Sequence, residues 1–246
     1  MWAGGTLFNG AHPIDESSCS TARSRRRDFL ELSGIYGLIL LVIWTPHPYQ
    51  VLMWCLAAII TATVIAISFE GFQSMGLCTA NLLRSLWGVG LAACLALAAV
   101  ALAGRLHTLH TPATLGSTLR HFVGYSLWAT VQEIILQCFF AVRALRLMGN
   151  GTLAAVVSAC LFSMAHLPNP VLAVITLVLG VAASLFYLHY RNVWPVTAAH
   201  ALLGIAIAIT IPANLDHNMR VGVSYLTYAQ RTVASSSPWT IRGGGR

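Results

Sequence analysis

Long apolar runs are the feature that most constrains the fold of this chain. About 20 apolar residues in helical conformation cross the hydrocarbon core of a bilayer, where backbone polar groups must be bonded internally. Runs that meet or approach this length lie at 29–46, 50–70, 84–104, 122–147, 151–166, 170–190 and 193–212. We therefore predict an all-α fold, a multi-pass transmembrane helix bundle of about seven helices.

The composition supports a membrane protein. The chain has 246 residues, of which 57% are hydrophobic and only 9% are charged. A soluble domain of this size carries about 25% charged residues. Helix-breaking stretches separate the runs, because "TPHPY" and "HLPNP" supply prolines and "GNGT" supplies glycine and asparagine.

The arginines predict the orientation of the spans. With the N-terminus in the cytoplasm, the outer loops carry only Arg105 and Arg120. The inner loops then carry Arg23, Arg25, Arg26, Arg27, Arg84, Arg143, Arg146 and Arg191. This excess favours a multi-pass protein of the cell membrane with a cytoplasmic N-terminus. Because the basic residues lie at the ends of apolar runs, they indicate the lipid bilayer as a partner, and no nucleic acid is expected.

The runs divide the chain into four parts. Residues 1–28 form a cytoplasmic N-terminal segment without the apolar core of a signal peptide. Residues 29–121 hold the N-terminal transmembrane helices, and 122–212 hold the helices with unusual polar residues. The polar residues 213–246 are predicted to be a flexible tail.

The stretch "LWATVQEIILQCFF" carries a carboxylate, Glu133, deep in an apolar run. A charge at the bilayer centre costs about 2.5–3.5 kcal/mol on insertion scales, so such residues usually face a bundle interior. At 100° per residue, Ser126, Thr130, Glu133 and Gln137 share one helix face, while Gln132 points away from Glu133. The stripe indicates either a functional site or hydrogen bonding between helices.

Two histidines on other helices make a site more specific. His166 ends the fifth run in "LFSMAHLPNP", and His200 lies within the seventh in "WPVTAAHALLG". Burial favours the protonated form of a carboxyl group, so a glutamate there can exchange protons near neutral pH. A nearby histidine can share that proton or stabilise an oxyanion. Glu133, His166 and His200 are therefore candidate catalytic residues for water activation.

No cofactor is expected. Two histidines and a glutamate also ligate Zn²⁺ in some hydrolases, so zinc is a weak alternative, but the HExxH spacing is absent. The six cysteines show no ligand spacing and predict neither a metal cluster nor a disulfide framework.

These motifs resemble those of the CPBP intramembrane protease family, also called the CAAX protease or Abi family. The family carries EExxxR, FxxxH and HxxxN or HxxxD on separate transmembrane helices. Here the order is "QEIILQ" from Gln132, "FSMAH" from Phe162 to His166 and "HALLG" from His200. The resemblance covers about 122–204, a third of the chain.

The resemblance implies cleavage of a peptide near the membrane by water that a glutamate and a histidine activate. It implies that His166 is the partner of the catalytic acid, that His200 is an oxyanion donor and that Phe162 packs one turn below His166. Gln132, Gln137 and Phe162 would be supporting residues.

Three positions depart from the family pattern. Gln132 replaces the first glutamate, Gln137 replaces the arginine, and Gly204 replaces the asparagine or aspartate of the third motif. Either Glu133 has become the catalytic acid, or the site is inactive.

Three functions remain open. The leading hypothesis is an intramembrane endopeptidase acting on a membrane-associated peptide or protein. The alternatives are a pseudoprotease that binds a transmembrane partner and a small transporter with Glu133 as a proton relay. The transporter is the weakest, because the chain shows no repeat symmetry.

Overall fold

The structure, a computed structural model, describes residues 25–111 and 114–236, which are all-helical. Its α-helices are α1 (Arg25–Trp44), α2 (His47–Ile67), α3 (Leu82–Arg105), α4 (Leu115–Glu133), α5 (Val142–Met148), α6 (Gly151–Met164), α7 (Pro170–Tyr190), α8 (Val193–Thr210), α9 (Ala213–Asp216) and α10 (Gly222–Ser236). A π-helical segment (Ile134–Ala141) joins α4 to α5, and a 3₁₀ turn (His217–Met219) follows α9.

The predicted helical runs reappear with shifted ends. The run at 170–190 coincides with α7, whereas the fourth helix begins at Leu115 rather than at 122. Thr114 accepts a hydrogen bond from the Ser117 backbone, and the Ser117 hydroxyl bonds back to the Thr114 backbone. This capping box starts the helix in a polar stretch that hydropathy alone reads as a loop.

Four of the described helices are long and apolar enough to cross a membrane, namely α2, α3, α7 and α8. The apolar helix α6 is shorter, at 14 residues. Charged residues interrupt the other predicted spans: α1 contains Asp28 and Glu31, and α4 contains Arg120 and Glu133. A helical membrane bundle is therefore supported, with fewer clear spans than the seven predicted.

The first part of the predicted tail at 213–246 contains the helices α9 and α10, and its flexibility stays a prediction. Gly222 begins α10 with φ +54°, and a Cβ there would lie 2.3 Å from Ile43 Cγ2 on α1. The His217 ring packs against Tyr225 at 4.3 Å. Tyrosines therefore let a polar sequence pack as a helix. Residues 237–246, like residues 1–24 of the predicted N-terminal segment, lie outside the described residues.

Small residues allow the central helices to approach closely. A Cβ on Gly180 of α7 would lie 3.2 Å from Ala159 Cβ of α6, and one on Gly88 of α3 would lie 2.7 Å from Phe186 of α7. Close backbone approach of this kind is typical of helix packing in membranes. α8 packs against both α3 and α4, which places its inner face beside the end of α4.

One end of the bundle carries most of the described arginines, and we call it the arginine-rich end. There the α2–α3 connection packs on the α7–α8 turn: the Tyr187 hydroxyl donates to the Met75 carbonyl at 2.8 Å, and the Asn192 amide donates to Ala80 at 2.7 Å.

A cluster of buried and partly exposed charges at the arginine-rich end links α1, α5 and the segment that follows α2. We call it the ion cluster, and it consists of Asp28, Glu31, Glu70, Arg143 and Arg146. Arg143 donates to Glu31 Oε2 from Nη2 at 2.6 Å and from Nε at 3.0 Å. Arg146 lies 3.3 Å from Asp28 and 2.5 Å from Glu70.

At the opposite end, Asn169 and Asp216 join the tail to the bundle. The buried Asn169 amide donates to the Asp216 carbonyl at 2.6 Å and to the Arg220 carbonyl at 3.1 Å. The Asp216 side chain accepts from the Asn218 backbone at 2.9 Å. Burial raises the pKa of the Asp216 carboxyl group.

Candidate functional site

Glu133 lies where the helical repeat changes. It is the last residue of α4, and the next residue begins the π-helical segment. The wider π turn rotates the residues that follow relative to a continued α-helix, and such segments occur frequently at functional sites. Glu133 is 2% exposed and Gln137 is 0% exposed. The Gln137 amide donates to Glu133 Oε2 at 3.0 Å, which holds one oxygen of the carboxylate.

His200 of α8 holds the other oxygen. Its Nδ1 lies 2.7 Å from Glu133 Oε1, a distance typical of a hydrogen bond to an ionised group. With Glu133 ionised, Nδ1 carries the hydrogen and donates, which leaves His200 Nε2 as an acceptor. The packing of α8 on α4 thus forms a carboxylate–imidazole pair between two helices.

His166 follows the C-terminus of α6 and bonds to its own helix. Its Nδ1 lies 2.7 Å from the Phe162 carbonyl oxygen. A carbonyl only accepts, so Nδ1 carries a hydrogen, and in the neutral ring Nε2 is an acceptor. The Phe162 ring is T-shaped to both imidazoles, with centroids 4.7 Å from His166 and 5.9 Å from His200. Phe162 therefore packs between the two predicted histidines.

A cavity of about 950 Å³ opens beside these side chains. Glu133, His166 and His200 line it together with Gln132 and Phe162. The other walls are mainly aliphatic and aromatic, as in Trp54, Leu91, Trp128, Ile175 and Leu179. A largely apolar cavity with a few convergent polar groups is typical of a site for an apolar ligand.

The structure brings the predicted residues together with one change of partner. The resemblance implies that His166 pairs with the catalytic acid, but Glu133 bonds to His200. The reason is rotation: Glu133 follows Gln132 by one residue, about 100° around the helix, and so faces α8. Gln132 lines the cavity without taking part in this hydrogen bond.

Only part of the predicted polar stripe belongs to the candidate site. Ser126 donates to the Phe122 carbonyl and Thr130 donates to the Ser126 carbonyl, each at 2.8 Å. Hydroxyls bonded to their own helix do not connect helices. The part of the stripe that remains a candidate site is therefore Glu133 with Gln137.

One residue of the site was not predicted from the sequence. A Cβ on Gly204, one turn after His200, would lie 1.8 Å from the hydroxyl of Tyr125 on α4. The Tyr125 ring is T-shaped to His200 at 6.2 Å and lines the same cavity. The signal was the glycine itself, because an empty position in an otherwise filled motif leaves room for a side chain from another helix.

Within the described residues, no group of three or more His, Cys, Asp or Glu side chains could hold a metal ion. Glu133 and His200 are bonded to each other, and His166 Nδ1 is bonded to its own helix. These contacts do not form a zinc ligand set of two histidines and a glutamate. Activity without a metal stays a prediction, which a chelator tests.

These observations define an all-helical membrane protein with a carboxylate–imidazole pair in an apolar cavity. Residues 115–206 match the family model described as "Rce1-like: Type II CAAX prenyl endopeptidase Rce1-like". This match confirms the resemblance to the CPBP family over α4 to α8, which is less than half of the chain. No curated protein and no solved structure matches the chain.

Proposed function

We propose that this protein is an intramembrane endopeptidase that cleaves a membrane-associated peptide or protein. The observation that carries the proposal is the 2.7 Å contact between Glu133 and His200 beside an apolar cavity, within the segment that matches the protease family. We place the protein in the cell membrane with the arginine-rich end in the cytoplasm, since arginines concentrate on that side.

The pair activates water through His200. Its Nδ1–H donates to Glu133, so Nε2 accepts a proton from water while the water oxygen attacks the scissile carbonyl carbon. The carboxylate stabilises the imidazolium that forms and keeps the ring in the required tautomer. His166 Nε2 accepts a hydrogen bond from the second O–H of the same water, which stays intact, and so directs the oxygen lone pair at the carbonyl.

The collapse of the intermediate completes the reaction. The C–N bond breaks, and His200 returns its proton to the leaving amine. The water oxygen stays in the new carboxyl group, so no oxidant, reductant or metal is consumed. Gln132, an amide at neutral pH, takes no proton in this scheme, and Glu133 fills the role of the acidic residue.

The apolar walls indicate the class of substrate. An aliphatic and aromatic cavity of about 950 Å³ suits a hydrocarbon anchor or a transmembrane peptide rather than a polar one. The family description names CAAX prenyl endopeptidases, so we propose a peptide with a lipid or apolar anchor as the substrate.

The second candidate is a pseudoprotease that holds a transmembrane partner in the same cavity. It is favoured by Gln132, because an amide lines the cavity where the family motif carries a carboxylate.

Peptide cleavage by purified protein in proteoliposomes tests these proposals. The probes are a fluorogenic farnesylated CAAX peptide and a single-span peptide. We expect cleavage by wild type, its loss in Glu133→Gln, and persistence in EDTA. Full activity of Glu133→Gln would show that the assignment of Glu133 is wrong. An inactive wild type with activity in Gln132→Glu would establish the pseudoprotease, and loss of activity in EDTA would establish a metal.

A further inference from the structure

The hydroxyl of Tyr125 lies in space that is open only because residue 204 is a glycine. Gly204 is buried in α8, and a Cβ there would meet the Tyr125 hydroxyl at 1.8 Å and its ring carbons at 2.3 and 2.5 Å. Any other residue at 204 would therefore displace the tyrosine, because real Cβ atoms do not approach so closely. The ring thus lies against the backbone of α8, one turn beyond His200.

None of the residues given a role in the proposed reaction donates to the developing oxyanion, and this hydroxyl can. Ionised Glu133 only accepts, and the neutral rings of His166 and His200 present acceptors to water. The Gln137 amide already donates to Glu133. When water attacks a carbonyl, negative charge develops on the carbonyl oxygen, and a preorganised donor must stabilise it.

The Tyr125 hydroxyl is free to donate. It forms no hydrogen bond with any residue that the structure describes, and the side chain lines the cavity. Its ring lies 6.2 Å from the His200 ring, so the hydroxyl and the proposed base reach the same part of the cavity. A phenol is a good donor at neutral pH because it keeps its proton.

We propose that Tyr125 is a catalytic residue whose O–H donates a hydrogen bond to the oxyanion of the tetrahedral intermediate. No proton is transferred from Tyr125. The hydrogen bond forms as the carbonyl oxygen becomes negative and is released when the C–N bond breaks. Gly204 is the positioning residue that gives the hydroxyl its place. This inference rests on the proposed endopeptidase function.

The first test is Tyr125→Phe, which keeps the ring against α8 and removes only the hydroxyl. Removal of one oxyanion donor costs about 10²–10³-fold in kcat. On the farnesylated peptide we expect this loss of kcat with KM unchanged. We also expect a parallel loss of affinity for a peptidyl phosphinate, whose tetrahedral phosphorus carries an oxygen that mimics the oxyanion. Tyr49→Phe, at an exposed tyrosine outside the cavity, is the matched control and should keep wild-type rates.

The second test is Gly204→Ala, which moves the hydroxyl without removing it. It should lower kcat in wild type but cause little further loss in Tyr125→Phe, because both changes act through one hydroxyl. Thermal unfolding in detergent checks that each variant is folded.

The outcomes separate this inference from the function on which it rests. If wild type cleaves, Glu133→Gln is inactive and Tyr125→Phe keeps its kcat, the role of Tyr125 is wrong and the endopeptidase stands. A raised KM with unchanged kcat and phosphinate affinity would equally overturn it, because the hydroxyl would then bind substrate only. If wild type cleaves neither probe, the proposed function fails and this inference fails with it.

Discussion

Two regions of the bundle contain carboxylates removed from solvent, and the hydrogen-bond donors to these carboxylates differ. At the arginine-rich end, Glu31 accepts two hydrogen bonds from Arg143 and one from the hydroxyl of Ser68. In the cavity, Glu133 accepts hydrogen bonds only from the neutral amide of Gln137 and from the ring of His200. Among the described residues, no arginine forms a salt bridge with Glu133.

The difference separates a structural charge from the one that we propose takes part in catalysis. A carboxylate paired to a guanidinium stays ionised, because arginine does not lose its proton, and the pair links helices. A carboxylate paired to an imidazole has a partner whose second ring nitrogen can accept and return a proton. The ion cluster therefore holds α1, α5 and the segment after α2 together, whereas the Glu133–His200 pair is suited to proton transfer.

Replacement by glutamine should lower catalysis at Glu133 and stability at Glu31. The larger effect is expected at Glu133. Glu133→Gln should lower kcat about 10²–10⁴-fold, because the amide cannot stabilise the His200 imidazolium. Its melting temperature should change little, since an amide still accepts and donates locally. Cleavage assays and thermal unfolding of the same preparation measure both. A large loss of stability with unchanged kcat would reverse the comparison.

Glu31→Gln should mainly affect stability. It leaves the guanidinium of Arg143, which is 2% exposed, without its main carboxylate partner. Unpairing a buried ion costs about 3 kcal/mol, so the free energy of unfolding should fall by about that amount. Chemical unfolding in mixed micelles measures the change. The kcat of the folded fraction should match wild type, and a kcat loss as large as that of Glu133→Gln would contradict the distinction.

The hydrogen-bond donors to the two carboxylates extend the comparison. Gln137→Leu removes the amide that holds Glu133 Oε2, and a hydrogen bond to a charged group contributes about 1.5–3 kcal/mol. We expect kcat to fall about tenfold, because the carboxylate is less well oriented toward His200. Gln137→Glu is the informative companion, since a second carboxylate beside Glu133 should lower activity further. Equal activity of wild type and Gln137→Leu would show that the amide does not position Glu133.

The smallest effect is expected for Ser68→Ala. The Ser68 hydroxyl lies 3.0 Å from both oxygens of Glu31, which keeps its two bonds to Arg143. Removing the hydroxyl should lower the free energy of unfolding by about 1 kcal/mol and leave kcat unchanged. Thermal unfolding of Ser68→Ala beside Ser74→Ala, whose hydroxyl bonds only to nearby backbone, measures the difference. Equal melting temperatures would show that Ser68 adds nothing to the ion cluster.

Much of the fold was predictable because it depends on local patterns. The run at 170–190 begins at a proline and ends before an arginine, and α7 has those bounds. The start of α4 and the existence of α10 were not predicted. A capping box sets the first, and the contacts of α10 with α1 and of Tyr225 with His217 set the second. Neither a capping box nor a tyrosine raises mean hydropathy.

The candidate site was predictable as a set of residues and not as a set of contacts. Glu133, His166 and His200 are polar residues in apolar runs, and the cost of burying them identifies them without coordinates. Which histidine bonds to Glu133 depends on how α4 is rotated against α8, and a one-residue shift of the acid changes its partner. Tyr125 was missed because tyrosine is common in membrane helices and carries no penalty that marks it.

The sequence by itself determined the class of protein, the approximate helices and the residues of the candidate site. Only the tertiary structure decided the pairing of Glu133 with His200, the π-helical turn after Glu133 and the placement of Tyr125 against Gly204. The physical reason is the distance along the chain over which each interaction acts. Hydropathy and capping act within a few residues along one helix, whereas these contacts join α4 to α8 and depend on how closely the two helices pack.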